Sequence, residues 1–383
     1  MGLIGIRKHN PSLDGLRGLA FLLVFVLHTA TLPIEIFHNW NKFMSIGEVG
    51  VDLFFCLSGF LITRILLSAK EQSHYFRNFY ARRALRIFPL YYLFLTLYFL
   101  LVVHWHVINF GAAKAAQAGQ DLHWLWFYGT NVRIAETGNF ITASINHFWT
   151  LAVEEHFYLV WPILVYILSP RGLLRAVVII CASAFALRLC LQLVGVSDHI
   201  IVSLTPCRVD SFAIAGAVAL AQTVPRWREW LERIASTAVL PILVAGVGLF
   251  WLGGGWEDTL GYTVIAVAFS LLIVCLGAPG RLQDLFSKRP LTIVGKYSYA
   301  LYVFHWPIQI GVGRKLPITA LAAHMHSYVV AVILNMLLVG VLASAAAFLT
   351  WNLVEKHFLK LKRFFPEPEG AIVPQQGVAL PIA

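Results

Sequence analysis

The sequence predicts an all-α polytopic membrane protein of about ten transmembrane helices with both termini cytoplasmic, and three observations carry that prediction. Of the 383 residues, 59% are hydrophobic and 13% charged, with a mean hydropathy of +0.74; soluble chains carry about 25% charged residues. Apolar runs recur along the chain, each close to the roughly 20 residues that cross a hydrocarbon core of about 30 Å. Lysine and arginine fall between the runs and favour alternate gaps. Soluble, disordered and fibrous classes are thereby excluded.

The first run, about Leu13 to Thr31, follows Arg7 and Lys8 but is longer than a signal-peptide core and lacks a clean small-residue cleavage site. The others are Val49 to Ser68, Phe88 to Val107, Phe148 to Leu168, Leu173 to Val194, Val209 to Thr223, Ile234 to Leu252, Leu260 to Ala278, Thr292 to Val312 and Ser327 to Leu349. The sixth is short and begins at Arg208 and Asp210. Ten crossings put both termini on one side. With the N-terminus inside, the inner segments hold 20 of the 29 Lys and Arg residues and the outer segments five, while Arg17, Arg64, Arg188 and Arg208 lie within spans. Positive residues concentrate on the cytoplasmic side, which fixes this orientation and points to the cell (inner, cytoplasmic) membrane. Topology therefore accounts for the net charge of +10; the lipid bilayer is the implied partner and nucleic acid is not.

Between the spans, Ser73 to Phe88 is basic and aromatic, with Phe76, Phe79 and Tyr80 at helical spacing, as for a helix lying along the inner interface. The outer segment from His104 to His147 contains Trp105, Trp124, Trp126 and Tyr128 and reads as an aromatic belt or a lid. Residues 1–365 form the transmembrane domain, and 366–383 a Pro-rich, disordered cytoplasmic tail. The five cysteines lack CxxC spacing and read as reduced packing residues. No zinc spacing, phosphate-binding loop, GxSxG elbow or dinucleotide fingerprint is present, so neither a metal nor a tightly bound cofactor is expected.

Ionisable side chains inside spans cost several kcal/mol and mark functional positions. Arg17 and His28 share the first span. Eleven residues bring a helix within about 20° of three full turns, so both project from one face roughly 16 Å apart. Arg17 reads equally as an inner-interface anchor; His28 suits proton exchange near neutrality. His147 and Glu154, seven apart, share a face of the fourth span and read either as a site or as a satisfied interhelical pair, with Glu155 beside them. Arg208 and Asp210 read as a site or as charges that neutralise each other or groups on other helices. Ser298, Tyr302 and His305 form a stripe at i, i+4 and i+7, with Tyr299 adjoining it, and His305 precedes Trp306-Pro307, where capping a kink competes. Glu355 reads as balancing Lys356. Arg83 and Arg86 sit one turn apart in the basic segment and suit either lipid headgroups or a phosphorylated ligand.

Five blocks in order then carry a resemblance: Asp14-Gly-Leu-Arg-Gly-Leu-Ala with His28; Gly50-Val-Asp-Leu-Phe-Phe-Cys-Leu-Ser-Gly-Phe; Arg83-Ala-Leu-Arg-Ile-Phe-Pro-Leu-Tyr; His147-Phe-Trp-Thr-Leu-Ala-Val-Glu-Glu-His-Phe-Tyr; and Gly295-Lys-Tyr-Ser-Tyr-Ala-Leu-Tyr-Val-Phe-His-Trp-Pro. Together they resemble the membrane acyltransferase-3 family. The resemblance implies ten transmembrane helices, acyl-CoA as cytoplasmic co-substrate, and transfer of an acyl group, often acetyl, to a hydroxyl of a carbohydrate, glycolipid or other envelope acceptor. It places the family's Arg-x10-His pattern on Arg17 and His28, and its Arg-x-x-Arg pattern, associated with the acyl donor, on Arg83 and Arg86. The family usually has Gln where this chain has His156. Some members carry an SGNH-type domain, for which the tail here is too short, so the acceptor is acylated within the membrane domain or by a separate periplasmic partner.

On this reading acyl-CoA lays its phosphates on Arg83 and Arg86, with help from Arg17, and its pantetheine arm rises along the first helix to His28. His28 is the expected general base, with a covalent acyl-His route left open. Glu154 is expected to orient His28 or to bind acceptor hydroxyls; His147, Arg208, Asp210, Tyr299, Tyr302 and His305 are expected to support substrate or structure. The rival reading is a secondary transporter using the intramembrane His, Glu and Arg as a proton and substrate pathway.

Overall fold

The computed structural model of the chain describes residues 10–30, 32, 34–104, 119–141 and 144–366. Ten long helices carry it: α1 Pro11–Thr29, α2 Val49–Ala69, α3 Tyr75–Tyr98, α4 Trp149–Ile167, α5 Pro170–Leu193, α6 Thr205–Ala221, α7 Pro225–Leu252, α8 Tyr262–Cys275, α9 Arg289–Lys315 and α10 Tyr328–Thr350. No strand occurs among the described residues. Among them, nine helical stretches are long and apolar enough to cross a membrane, and they include every long helix except α9. With 27 residues, α9 reaches about 40 Å at 1.5 Å per residue. It falls short on composition alone, because Ser298, Tyr302, His305 and Gln309 run along it. All four are buried against protein. The chain is a multi-pass, all-α membrane protein.

Local chemistry starts the helices. Asn10 caps α1, its side-chain oxygen accepting the Ser12 amide at 3.1 Å, and Pro11 occupies the first turn, where a missing N–H costs nothing. Ser169 and Pro170 repeat the device on α5, with the Gly172 amide donating to Ser169 Oγ at 3.1 Å.

Helices α1 and α9 cross through paired glycines. A Cβ on Gly295 would lie 1.8 Å from the Asp14 carbonyl oxygen, and one on Gly18 would lie 2.3 Å from that of Leu291. In lipid, helix association depends on close packing, which small residues permit. This crossing brings α9's polar stripe against the face of α1 that bears Arg17 and His28.

Buried ion pairs tie α2, α5, α6 and α8 together. Arg208 Nη2 donates to both Asp52 oxygens at 2.9 Å, and Ser211 adds a 3.0 Å bond. Arg188 Nη2 donates to Asp210 at 2.9 Å, and Thr263 donates to the same oxygen at 2.6 Å. Arg208 and Asp210 thus do not neutralise each other. Residues two apart on a helix point about 200° apart, so each finds its partner on another helix.

Two further expectations change. The basic segment is the first half of α3, not a separate interfacial helix: α3 runs unbroken through Pro89, which membrane helices tolerate. The described part of the outer segment includes two short helices, Leu122–Trp126 and Thr130–Thr137, with Trp126 stacked on Tyr92 at 5.0 Å. Trp105 and the tail from residue 367 lie outside the described residues. All five cysteines are free.

Candidate active site

Five helices line a partly open cavity of about 120 Å³. Helix α1 supplies Arg17, α2 Phe54 and Ser58, α3 Arg83, Arg86 and Ile87, α4 Thr150, Glu154 and Tyr158, and α9 Ser298, Tyr299 and Tyr302. The continuity of α3 through Pro89 is what turns Arg83 and Arg86 into the bundle.

The three guanidiniums are held differently. Arg17 Nη1 donates to Asp14 at 3.0 Å, one turn back on its own helix. Arg86 lies 3.6 Å from Glu355, beyond hydrogen-bond reach of that buried carboxylate, and its ring partner is Tyr299 at 5.7 Å. Glu355 therefore faces Arg86 across the bundle and does not serve Lys356, which donates to Asn352 at 3.0 Å. Arg83 has no carboxylate within ion-pair distance among the described residues; it lies over the Tyr158 ring at 5.3 Å. An unpaired cation on a cavity wall is an anion site in waiting.

Glu154 sits in the same wall. One of its oxygens accepts both the Ser58 hydroxyl and the hydroxyl of Tyr158, one turn along α4. No hydrogen bond joins Glu154 to His28 or to His147 among the described residues, so Glu154 does not orient His28. Ser58 carries no sequence signal for this contact because it comes from another helix, whereas Tyr158, at i+4 from Glu154, was legible.

His28 finds a different orienting group. Its Nδ1 lies 2.8 Å from His305 Nε2, and its ring packs 4.3 Å from that of Trp306. His305 is fully buried, and its Nδ1 faces the Tyr302 carbonyl at 2.7 Å and that of Leu301 at 3.2 Å. Carbonyl oxygens only accept, so His305 Nδ1 carries the hydrogen. In a pair of neutral rings, His305 Nε2 then accepts from His28 Nδ1–H, leaving a lone pair on His28 Nε2. That tautomer is the one a base requires. His305 thus serves both ends at once, its Nδ1 bonded to carbonyls of its own helix and its Nε2 to His28.

His147 completes a cluster of three imidazoles, its ring centre 5.4 Å from that of His305. None of the three lines the cavity. Thr150 and Tyr302 stand between: they are bonded to each other at 2.7 Å, both line the cavity, and both reach the His147 carbonyl, at 2.9 and 3.3 Å. The sequence placed His28 directly above the hollow, whereas the cavity lining does not include it. Arg208 and Asp210 lie outside this region, in the ion pairs described above. Among the described residues no group of His, Cys, Asp and Glu could hold a metal ion.

The bundle thus holds a cavity bearing three guanidiniums and, outside its lining, a cluster of three imidazoles. The sequence profile of an acyltransferase domain matches residues 10–351, and the chain belongs to that acyltransferase-3 family. It is 28% identical to the peptidoglycan O-acetyltransferase OatA of Listeria monocytogenes over 79% of this chain and 50% of that protein. The O-acetyltransferase OatA of Staphylococcus aureus is 25% identical over 95% of this chain and 60% of its own length. The putative peptidoglycan O-acetyltransferase YrhL of Bacillus subtilis is 30% identical over 79% and 49%. The chain therefore spans about half the length of the curated relatives it matches. No solved structure matches it.

Proposed function

We propose that the chain is an integral-membrane O-acyltransferase of the cell membrane that moves an acetyl or other short acyl group from cytoplasmic acyl-CoA to a hydroxyl of an envelope carbohydrate or glycolipid. The observation that carries this reading is Arg83, without a carboxylate in ion-pair reach among the described residues and flanked by Arg17 and Arg86 in one cavity wall. A coenzyme's phosphates match the excess of positive charge in such a cavity, three guanidiniums against one carboxylate, and Arg forms forked bonds to phosphate. The names of the relatives make a peptidoglycan-type sugar the first acceptor to try. Whether the product is released directly or handed to a separate partner outside the membrane is a further question for the same assay.

In this mechanism acyl-CoA rests its phosphates on Arg83, with Arg86 and Arg17 nearby, and its pantetheine arm runs past Ser58 and Glu154. The carboxylate and hydroxyls there match the arm's amide and hydroxyl groups, which is the role left to Glu154. The Thr150–Tyr302 pair parts to admit the thioester. His28 Nε2 takes the proton of the acceptor hydroxyl as that oxygen attacks the carbonyl carbon, and returns it to the departing thiolate.

The test is incubation of the purified full chain with labelled acetyl-CoA and solubilised peptidoglycan fragments, with no ion gradient. Thiol release and labelled sugar support the reading; label retained wholly on acetyl-CoA overturns it and returns attention to transport. A positioned base contributes about 10²- to 10⁴-fold, so His28→Ala is expected to lose activity on that scale while keeping its melting temperature. Full activity in that variant removes His28 from the mechanism.

A further inference from the structure

His147 is 4% exposed, and neither of its ring nitrogens makes a hydrogen bond. A neutral imidazole carries one N–H, and leaving such a donor buried and unbonded costs about 1–3 kcal/mol. Its neighbours are already committed: His305 uses one nitrogen on the Tyr302 carbonyl and the other on His28, and the Tyr302 hydroxyl is engaged with Thr150. The carbonyls of Tyr302 and Val303 face the His147 ring, at a geometry too poor for a full hydrogen bond. An orphaned donor persists at such a depth when something absent from the resting protein completes it.

Its place says what that is. The His147 ring lies 5.3 Å from the Tyr302 ring and 5.4 Å from the His305 ring, centre to centre. Its own carbonyl anchors the Thr150–Tyr302 pair that closes the cavity. The ring therefore sits beside the part of the cavity wall that Thr150 and Tyr302 form.

We propose that His147 is a catalytic residue whose ring N–H binds the carbonyl oxygen of the acyl thioester and the oxyanion formed from it. The proposal rests on the acyl-transfer reading with His28 as base. The acceptor O–H bond breaks, its proton passing to His28 Nε2, and the acceptor oxygen bonds to the thioester carbon. The carbonyl π pair moves onto oxygen, where the His147 N–H receives it. Collapse of the intermediate re-forms the carbonyl and breaks the C–S bond, and the thiolate takes the proton from His28. The products are an ester and a thiol, and no further reactant is needed. A neutral imidazole can act as such an electrophilic donor.

The experiment compares His147→Phe, His147→Asn and His147→Gln in the purified full chain, reading thiol release from acetyl-CoA, which reports transfer to sugar or to water alike. Removing one oxyanion donor costs about 10²- to 10³-fold in kcat, so His147→Phe should lose kcat on that scale with the acetyl-CoA KM unchanged. It should melt no lower than the parent, because it leaves no unbonded donor. Asn places an amide near Nδ1 and Gln near Nε2, and one of them should recover at least tenfold of the lost rate. The proposal is overturned if His147→Phe keeps kcat within threefold, or if all three variants lose activity alike together with melting temperature. An active His28→Ala protein, in contrast, overturns the underlying reading whatever the His147 variants do.

Discussion

Arg83 and Arg86 stand one turn apart on α3 and differ in what holds them. Arg86 faces the buried Glu355 at 3.6 Å, while Arg83 lies over two aromatic rings, Tyr158 at 5.3 Å and Phe79 at 5.9 Å, and feels Glu155 only from beyond ion-pair distance. Lysine retains the charge but not the fork. Arg83→Lys should therefore raise the acetyl-CoA KM about tenfold or more, since hydrogen bonds to charged groups contribute about 1.5–3 kcal/mol, and leave kcat nearly unchanged. Arg86→Lys should lower the melting temperature and move KM less, because its first loss is the contact with Glu355. Equal KM values for both variants and the parent would return the pair to the lipid-anchor reading. Sequence made these two arginines visible as a unit and could not divide them, because Glu355 is remote in the chain. For the same reason it assigned Glu154 to His28: only the meeting of α1 with α9 reveals His305 as the ring's partner.

At the scale of elements, the α1–α9 crossing positions both ends of the site. The Gly295 Cα hydrogen occupies space that a Cβ could enter only at 1.8 Å from the Asp14 carbonyl oxygen, a backbone atom that cannot swing aside. Overpacking costs about 1–3 kcal/mol where side chains can adjust, and more where they cannot. Gly295→Ala should thus lower the melting temperature and abolish acetyl-CoA turnover together, as Asp14 with its partner Arg17 shifts and the His28–His305 contact opens. Gly311→Ala, on the same helix with nothing within 4 Å of its new methyl, should leave both measurements unchanged; comparable losses in the two variants would show that the crossing is not special. Hydropathy located all ten helices because lipid imposes an apolar exterior on each. It missed the join of Ser73–Phe88 to α3 because a charged half-helix at the interface and one turned into a cavity have the same composition. It also left the partners of Arg208 and Asp210 open, since helix periodicity states which way a side chain points but not what it meets.

For the molecule as a whole, the decisive question is which side the guanidinium end of the cavity faces. Acyl-CoA is made and held in the cytoplasm, so the reading requires that Arg83 and Arg86 open inward and that acceptor chemistry take place toward the outer half. The bias of lysine and arginine along the sequence favours the same orientation, and it acts during insertion and not during catalysis. Two exposed positions separate the sides: Thr137, at the end of the short helix preceding α4, and Lys288, just ahead of α9. In intact cells, a membrane-impermeant maleimide should label Thr137→Cys and leave Lys288→Cys unlabelled until the membrane is permeabilised. The free native cysteines include an exposed Cys190, so labelling is read against the unsubstituted parent. The opposite pattern would put the arginines outside, where no acyl-CoA is available, and the proposed donor would have to be abandoned even if His28 proved essential.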